Sequence, residues 1–505
     1  MDICKMRGIL DKYDKRPILV YFDPDVDGLM SGLLVCKYLD SLGLKYGYYV
    51  NTARAHGFKL DHSTLSGYLV IAVDFAVTSE EMTSLVWNDV AVIVLDHHDT
   101  EDELIHKKSP TSEGVVLNNQ YPFEPEEDRY LSGAGVVFEV ICKLDPEFDT
   151  KEHRAIVGIT LLSDARPIEN NKAKVYLKSA YTSNPKEGYI GYLLSSTIDS
   201  DYGFGLPKLD RNFIDYTFSP RINAMLRFGK EKEAMSFILG GGMSLPSLRG
   251  AQKILVEEMK ENMRLLELSS TKIVVIVVEE LLDSINSKLE SFKQSLRLSI
   301  KGEGFQLDTL VSKIMDSISA DLTNFIGLLC SNIKGTGKST VAFILQGGRV
   351  TRTSFRGQYD DVDYRDGFRS LGINAQGHHG AFGIIDFTYT DDTWVAINSV
   401  VEKLNGNHAT TASIIEVSNL PFLLTRRGYD LASNNCYVRD LYRTYIRYTG
   451  SKIAVARQSD KYTEYLVDGQ KVKCFDKLLT PNTGLILPVL EKGYVQLYLK
   501  EDIQA

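Results

Sequence analysis

Three short apolar runs in the first hundred residues each carry an aspartate at their end: residues 17–22 (PILVYF) lead into Asp23, 68–75 (YLVIAVDF) hold Asp74, and 90–95 (VAVIVL) lead into Asp96. Runs of this length, rich in Val, Ile, Tyr and Phe, read as strands. Residues 44–50 (LKYGYYV) read as another, and residues 28–42 and 132–144 have helical spacing. Strands alternating with helices predict an α/β fold with a mainly parallel sheet covered on both faces. Such sheets bind ligands at the carboxyl ends of their strands, which is where these acids fall.

At 505 residues the chain exceeds one ordinary domain, and two to four domains of about 100–200 residues are expected. Its 44% hydrophobic content suits soluble domains with real cores. The most apolar run, residues 272–278 (KIVVIVV), reads as a buried strand, being far short of the roughly 20 residues a membrane span needs. The start, MDICKMRGILDKYDKRP, lacks an apolar stretch with a cleavage site, so no secretory signal and no membrane association are expected. Cys4, Cys36, Cys142, Cys330, Cys436 and Cys474 include no CxxC pair. Reduced cysteines in a cytoplasmic protein are therefore expected. The net charge of −9 argues against a simple basic nucleic-acid coat. Basic residues do gather at 334–369 and 426–477, where a solvated face and a local basic groove are equal readings.

Residues 152–164 continue the first α/β unit as an apolar helix, and residues 246–268 read as a long connecting helix with Pro246 at its start. Residues 281–322 are helical and charged and read as an insertion. A second α/β pattern follows, with a helix at 324–332, a strand at 340–346 and a Gly- and His-rich turn at 377–383. Beyond Thr410 short strands alternate with turn signals such as Asp468-Gly469. The expected division is 1–230, an α/β domain; 231–270, a connecting helix; 271–408, a second α/β domain with the helical insertion at 281–322; and 409–505, a small β-rich domain.

Asp23-Pro24-Asp25-Val26-Asp27-Gly28 follows one strand and opens a helix. Three carboxylates at alternate positions cannot be buried unpaired, so they need water or a cation. An EF-hand loop also begins DxDxDG, but it needs a glutamate at its twelfth position, which here is Leu34. Asp74, then Asp96-His97-His98-Asp99, then Asp164 before Ala165-Arg166-Pro167, follow along the chain. Singly, such an Asp is usually a cap or turn residue. Together they deliver acids and imidazole to one sheet edge. Oxygen and imidazole donors without thiolate suit Mn2+ or Mg2+ better than structural zinc. Several carboxylates can hold two ions about 3.5–4 Å apart, the spacing of in-line attack on phosphate. Residues 335–340 (GTGKST) end like a phosphate-binding loop, but Asn332 replaces the required glycine and the strand and helix are in inverted order, so that reading is rejected.

DxDxDG, a strand-end Asp, DHH and a later Asp, in that order, resemble the four motifs of the DHH phosphoesterases. Residues 131–138 (LSGAGVVF) and 219–224 (SPRINA) resemble segments of the RecJ-type members. Residues 377–383 (GHHGAFG) resemble the GGHxxAxG signature of the DHH-associated domain, with Gln376 in place of the first glycine, and 352–357 (RTSFRG) stand where that domain has a short Arg motif. The resemblance spans residues 17–230 and 320–385. It implies metal ligation by Asp23, Asp25, Asp74, His97 and Asp164. It implies that Asp96 bridges or orients, that His98 meets the scissile phosphate or assists proton transfer, and that Arg221 and Asn223 reach the phosphate. Asp27 is read as holding the turn. Arg356, Gly377, His378, His379 and Ser132 are the implied substrate contacts. Tyr21 stands where many relatives carry His, which removes one donor.

The activity so implied is metal-dependent phosphodiester hydrolysis with two Mn2+ or Mg2+ ions, by a RecJ-like 5′-to-3′ exonuclease releasing mononucleotides from single-stranded DNA. It belongs to DNA repair and recombination, with a single-strand-binding or helicase protein as a partner and RNA or short oligonucleotides as further substrates. An oligonucleotide or cyclic-dinucleotide phosphodiesterase is the alternative within enzymes. A non-catalytic DHH scaffold in a replication complex is the alternative outside them. The C-terminal domain is read as OB-like. There Tyr437, Tyr442, Tyr445 and Tyr448, interleaved with Arg439, Arg443 and Arg447, are read either as base-stacking groups or as a helix packed by its tyrosines.

Overall fold

Residue alternation along three central strands organises the first half of the molecule. In the computed structural model the described residues are all but 1–2, 53–56, 99–103, 165, 167, 169, 198–208, 242–244, 246, 301–305, 321, 335–337, 360–361, 371, 379, 385–390, 407–413, 417–444, 449–452, 459–462, 468–469, 475–483, 492–493 and 501–505. The chain begins α1 (Ile3–Lys12), β1 (Ile18–Phe22), α2 (Val26–Ser41), β2 (Tyr46–Val50), β3 (Leu69–Val73), α3 (Ser79–Trp87), β4 (Ala91–Asp96), β5 (His106–Lys108), β6 (Glu113–Asn118), α4 (Gly133–Leu144) and α5 (Lys151–Ser163). The sheet order is β2-β1-β3-β4-β6-β5. Only β5 runs antiparallel to its neighbour.

Val20, Phe22, Ile71, Val73, Ile93 and Leu95 face α2, α4 and α5 in one core. Tyr21, Val70, Ala72, Val92 and Val94 face Met82, Leu85 and Val86 of α3 in another. Strands buried on both faces read as unbroken apolar runs, which is why β3 and β4 stood out in the sequence. The order reverses between β1 and β3, and a crevice opens outside strand ends at such a switch point. Asp23, Asp74 and Asp96 all lie there.

Helices α6 (Asn171–Tyr181), α7 (Gly188–Thr197), α8 (Arg211–Phe213) and α9 (Ser219–Arg227) follow, with a π-turn at Ile214–Phe218 leading into α9. Then come α10 (Glu231–Ile238), α11 (Arg249–Glu261), β7 (Arg264–Glu267) and β8 (Thr271–Val277). The connecting helix read over 246–268 is α11, shorter than expected. Its last residues peel off as β7, whose Leu265 and Leu266 pair with Val274 and Ile273 of β8. Ala251, Leu255, Val256 and Met259 of α11 join the main core together with Ile222 of α9 and Ile344 of the second lobe.

Helices α12 (Val278–Ser287), α13 (Leu289–Ser299), α14 (Leu307–Ala320) and α15 (Ile326–Lys334) lead to β9 (Ser339–Gln346). Because β8 and β9 are parallel neighbours, they need a crossover connection. The stretch 281–322, read as an insertion, lies in that crossover and buries Leu281, Ile285, Phe292, Leu296, Val311 and Ile314. The lobe continues with β10 (Arg349–Arg356), α16 (Tyr364–Arg369), β11 (Ala375–His378), β12 (Ala381–Ile384) and α17 (Asp391–Gly406). Its sheet order is β11-β12-β10-β9-β8-β7.

A third sheet contains β13 (Ile414–Glu416), β14 (Tyr445–Tyr448), β15 (Ile453–Gln458), β16 (Thr463–Val467), β17 (Gln470–Cys474), β18 (Gly484–Glu491) and β19 (Tyr494–Lys500). The β-rich terminus is thus present, in the order β13-β14-β18-β19-β17-β16-β15. No described pairing joins its edges, β13 and β15. Tyr445–Tyr448 forms a strand paired with β18, which overturns the helical reading there. Tyr437, Tyr442, Arg439 and Arg443 lie outside the described residues. No described helix is long and apolar enough to cross a membrane.

Candidate metal centre

Asp25 caps α2: its Oδ1 accepts the N–H of Gly28 at 2.9 Å. Helix α2 therefore starts where the acidic turn ends, because an N-cap carboxylate satisfies a donor that the helix cannot. Gly28 is required by proximity, since a Cβ there would lie 2.4 Å from the Asp23 carbonyl oxygen. Asp74 extends β3 through its N–H to the Leu95 carbonyl at 2.8 Å, then turns into left-handed backbone at φ 61°. That conformation costs a non-glycine residue of order 1–3 kcal/mol and persists only where its surroundings enforce it. Here the carboxylate is wedged against Gly133, where a Cβ would stand 2.9 Å from Asp74 Oδ1. Asp164 is the C-cap of α5.

His97 lies at the middle. Its Nε2 is 3.0 Å from Asp74 Oδ1 and 3.8 Å from both Asp27 Oδ2 and Asp164 Oδ2. Three sets of side chains bring their donor atoms within 4.8 Å of one another: Asp74, His97 and His98; Asp27, His97 and Asp164; and Asp23, Asp25 and Asp74. Asp74 and His97 are shared between sets, so the sets form one continuous cluster. Asp74 Oδ1 and Asp164 Oδ2 are buried and have no hydrogen-bond partner among the described residues. Buried carboxylate oxygens without donors are costly, and divalent cations fit this oxygen-rich donor set.

The electrostatics agree. Burial, then Asp27, Asp25, Asp23 and Asp164, hold the Asp74 carboxyl well above the usual carboxylate range. Burial and then Asp27 push Asp164 up to about 8, against the pull of Arg166. Burial and then Asp25 push Asp27 up to about 6, against the Ala134 and Gly133 N–H groups. A cation among these groups would favour their charged forms.

His98 Nδ1 is 2.7 Å from Asp96 Oδ1. The other Asp96 oxygen accepts from Asn118 Nδ2 at 3.1 Å, and the same amide donates to the His98 carbonyl at 2.9 Å. Burial pulls the His98 imidazole down, but Asp96 outweighs it and raises the group to about 10. Asp96 thus stands as the orienting partner of His98. Sequence reasoning missed Asn118, whose only signal is its place at the end of β6 beside Asp96. It also missed the reach of Asp27, which accepts the N–H groups of Gly133 and Ala134 at 2.6 and 3.0 Å. Asp27 does more than hold its own turn: it joins the start of α2 to the start of α4.

Other expected site residues fall elsewhere. Ser132 is wholly buried. Its hydroxyl caps α4 through Gly135 and lies 2.8 Å from Thr160 Oγ1, so it is a frame residue and not a substrate contact. Arg221 is buried on α9 and donates to the Leu245 carbonyl at 3.2 Å. Asn223 Oδ1 is buried without a described partner. Tyr21 packs on the α3 side of the sheet, among Tyr49, Phe58 and Phe75. Its hydroxyl donates to Asn51 Oδ1 at 2.7 Å.

In the second lobe, Arg356 pairs with Ala381, and Ala381 with His378, so all three positions are abreast across β10, β12 and β11. Arg356 also donates to Ser331 Oγ at 3.1 Å and to the Phe355 carbonyl at 2.7 Å. Gly377 has φ 134°, and a Cβ there would stand 2.8 Å from the Ala381 carbonyl oxygen, so glycine is required. Asp99 and His379 lie outside the described residues.

Residues 17–162 match the DHH family, N-terminal domain. No curated protein matches the chain. Two solved structures of RecJ from Thermus thermophilus, one in complex with Mn2+ and one with Mg2+, are similar in fold. The first has a TM-score of 0.63 at 17% identity, covering 100% of this chain and 71% of that one. The second has 0.60 at 16%, covering 100% and 70%. Motif order and strand-end acids thus agree with the match: residues 17–162 carry a DHH-family N-terminal domain, and the chain is RecJ-like in fold.

Proposed function

We propose that this chain is a divalent-metal-dependent phosphodiester hydrolase, a 5′-to-3′ exonuclease that releases mononucleotides from single-stranded DNA. One observation carries the hydrolytic part: carboxylates of Asp27, Asp74 and Asp164 gather within 3.8 Å of one imidazole nitrogen. Acids buried at that density call for a cation. Asp23, Asp25, Asp74, His97 and Asp164 would hold two Mn2+ or Mg2+ ions, the metals present in the similar RecJ structures. When bound, such ions acidify a water and neutralise charge on the phosphate.

The protein's own part is orientation and proton handling. His98 has Nδ1 held against Asp96, and its imidazole would donate to a non-bridging phosphate oxygen or pass a proton to the leaving oxygen. Arg356, Gly377 and His378 form the second lobe's phosphate contact, where an Arg fork and close backbone approach suit an anion. Gripping the terminal nucleotide from that lobe would confine cutting to strand ends. The likeness in fold to RecJ supports single-stranded DNA as the substrate.

The test is incubation of 5′-labelled and 3′-labelled single strands, duplex, RNA and cyclic dinucleotides with Mn2+ or Mg2+. Immediate release of labelled mononucleotide from the 5′ end is expected. Cleavage confined to two- to four-nucleotide substrates would replace this reading with an oligonucleotide phosphodiesterase. Tight Mn2+ binding with no hydrolysis of any phosphodiester would replace it with a scaffold.

A further inference from the structure

Arg166 plays no part in the reading above, yet it stands beside the metal centre. Its N–H donates to the Leu161 carbonyl at 2.9 Å, which fixes the position to the last turn of α5. Its Nη2 donates to the Arg129 carbonyl at 2.6 Å and its Nε to the Tyr130 carbonyl at 3.5 Å. Nε is also 4.0 Å from Asp164 Oδ2, and the side chain retains 19% exposure. The anchored atoms share one edge of the guanidinium. Nη1, on the other side, has no partner among the described residues.

The guanidinium is thus held by one edge beside the cluster of carboxylates. An anchored fork is already ordered, so little side-chain entropy remains to be lost when a ligand arrives. The fork edge is taken by the two carbonyls, so what remains for a ligand is Nη1, a charged donor that an anionic oxygen such as that of a phosphate ester complements.

We propose that Arg166 is a phosphate-binding residue of this site. Its Nη1 grips a non-bridging oxygen of the phosphate seated at the metal centre while the other edge stays on the Arg129 and Tyr130 carbonyls. This rests on the phosphodiester reading above, so the test includes binding as well as turnover.

Thymidine 5′-monophosphate binding in the presence of Mn2+ is measured by calorimetry for the wild type, Arg166→Lys and Arg166→Met. The Mn2+-induced rise in melting temperature is measured in parallel. The expected result is an unchanged Mn2+ response in Arg166→Met with binding weakened about tenfold or more, the loss of one charge-assisted hydrogen bond. Arg166→Lys, with the charge but no anchored fork, falls between. On single-stranded DNA, KM rises more than kcat falls. Binding by Arg166→Met within twofold of wild type overturns the proposal. Loss of the Mn2+ response in that variant also overturns it, and makes Arg166 a clamp on Asp164. A wild type that binds the nucleotide but cleaves nothing defeats the hydrolase reading, while the binding comparison still decides Arg166. A wild type that binds no phosphate ester defeats both.

Discussion

Asp27 Oδ2 accepts the backbone N–H of Gly133 at 2.6 Å across 106 residues of chain. The Ala134 N–H meets the other oxygen at 3.0 Å. One carboxylate in the first turn of α2 thereby serves the donors that α4 leaves open at its start. Asp74, pressed against the same Gly133, is positioned by the same junction.

Asp27→Ala leaves two buried N–H groups without an acceptor, at about 1–3 kcal/mol each. The change also removes a negative charge from beside Asp25 and Asp74, which offsets part of the loss when no cation is present. The expected outcome in urea denaturation is a stability loss of about 2–4 kcal/mol with Mn2+, and a smaller one in chelator. Equal stability to wild type in Mn2+ would remove the junction role.

Gly133→Ala tests the other side of that junction. The new Cβ would stand 2.9 Å from Asp74 Oδ1 and 3.0 Å from its Cβ and Cγ. Asp74 cannot retreat easily, because its backbone is already left-handed and its N–H is fixed to Leu95. Overpacking of this kind costs about 1–3 kcal/mol, and displacement of a ligand carboxylate weakens metal binding about tenfold or more. A Mn2+ titration followed by melting temperature reads both. Wild-type affinity in this variant would show that Asp74 is free to move.

The strand-end acids were legible because a charged residue at the end of an apolar run has few other uses, and three runs repeated the pattern. The long-range junctions were not legible. Nothing local to Asp27 points to Gly133, and nothing local to Asn118 points to His98, because a hydrogen bond between distant segments leaves no periodic trace. The helical reading of 246–268 ran too far because Leu265 and Leu266 fit helical spacing as well as strand pairing, and only β8 decides between them. The spacing of Tyr445 and Tyr448 left a helix open in the same way, whereas Tyr448 pairs with Gly484 of β18 and Tyr445 with Ile414 of β13. That residues 281–322 lie in the crossover between β8 and β9 was not legible, because the parallel register that demands one cannot be read from either strand. Ser132 was drawn toward substrate by its motif, whereas its hydroxyl is used inside the frame.

Asn118 offers a test of orientation separate from metal ligation. Its amide donates to Asp96 Oδ2 and to the His98 carbonyl, and its Oδ1 accepts the Gln120 N–H at 2.7 Å. Asn118→Ala frees Asp96 to rotate and removes what holds it facing His98 Nδ1. Loss of such an outer partner commonly costs about 10–100-fold in activity. The expected result is that loss in kcat on single-stranded DNA, with the Mn2+-induced rise in melting temperature retained. A variant with full kcat would mean that Asp96 holds His98 without help.

Acidity should separate the protein with and without metal. Asp27 and Asp164 are raised to about 6 and about 8, chiefly by burial, and Asp74 lies well above the usual carboxylate range. A carboxyl raised in the folded state binds protons more tightly there than in the unfolded chain. Its stabilising contribution is complete below the ordinary carboxylate value and is lost as pH rises through the folded value. The metal-free protein should therefore lose stability from this cluster from about pH 4, where the unfolded carboxyls ionise, until Asp27 and then Asp164 become charged in the fold near pH 6 and pH 8. Those same ionisations create the ligands, so Mn2+ binding strengthens over the same interval and displaces protons as it forms. Melting curves with chelator and with millimolar Mn2+ should diverge as pH is raised, the Mn2+ increment being largest near pH 8. An increment equal at pH 5 and pH 8 would mean that these carboxylates are already charged in the acid range, and that the cation is held by groups other than this buried cluster.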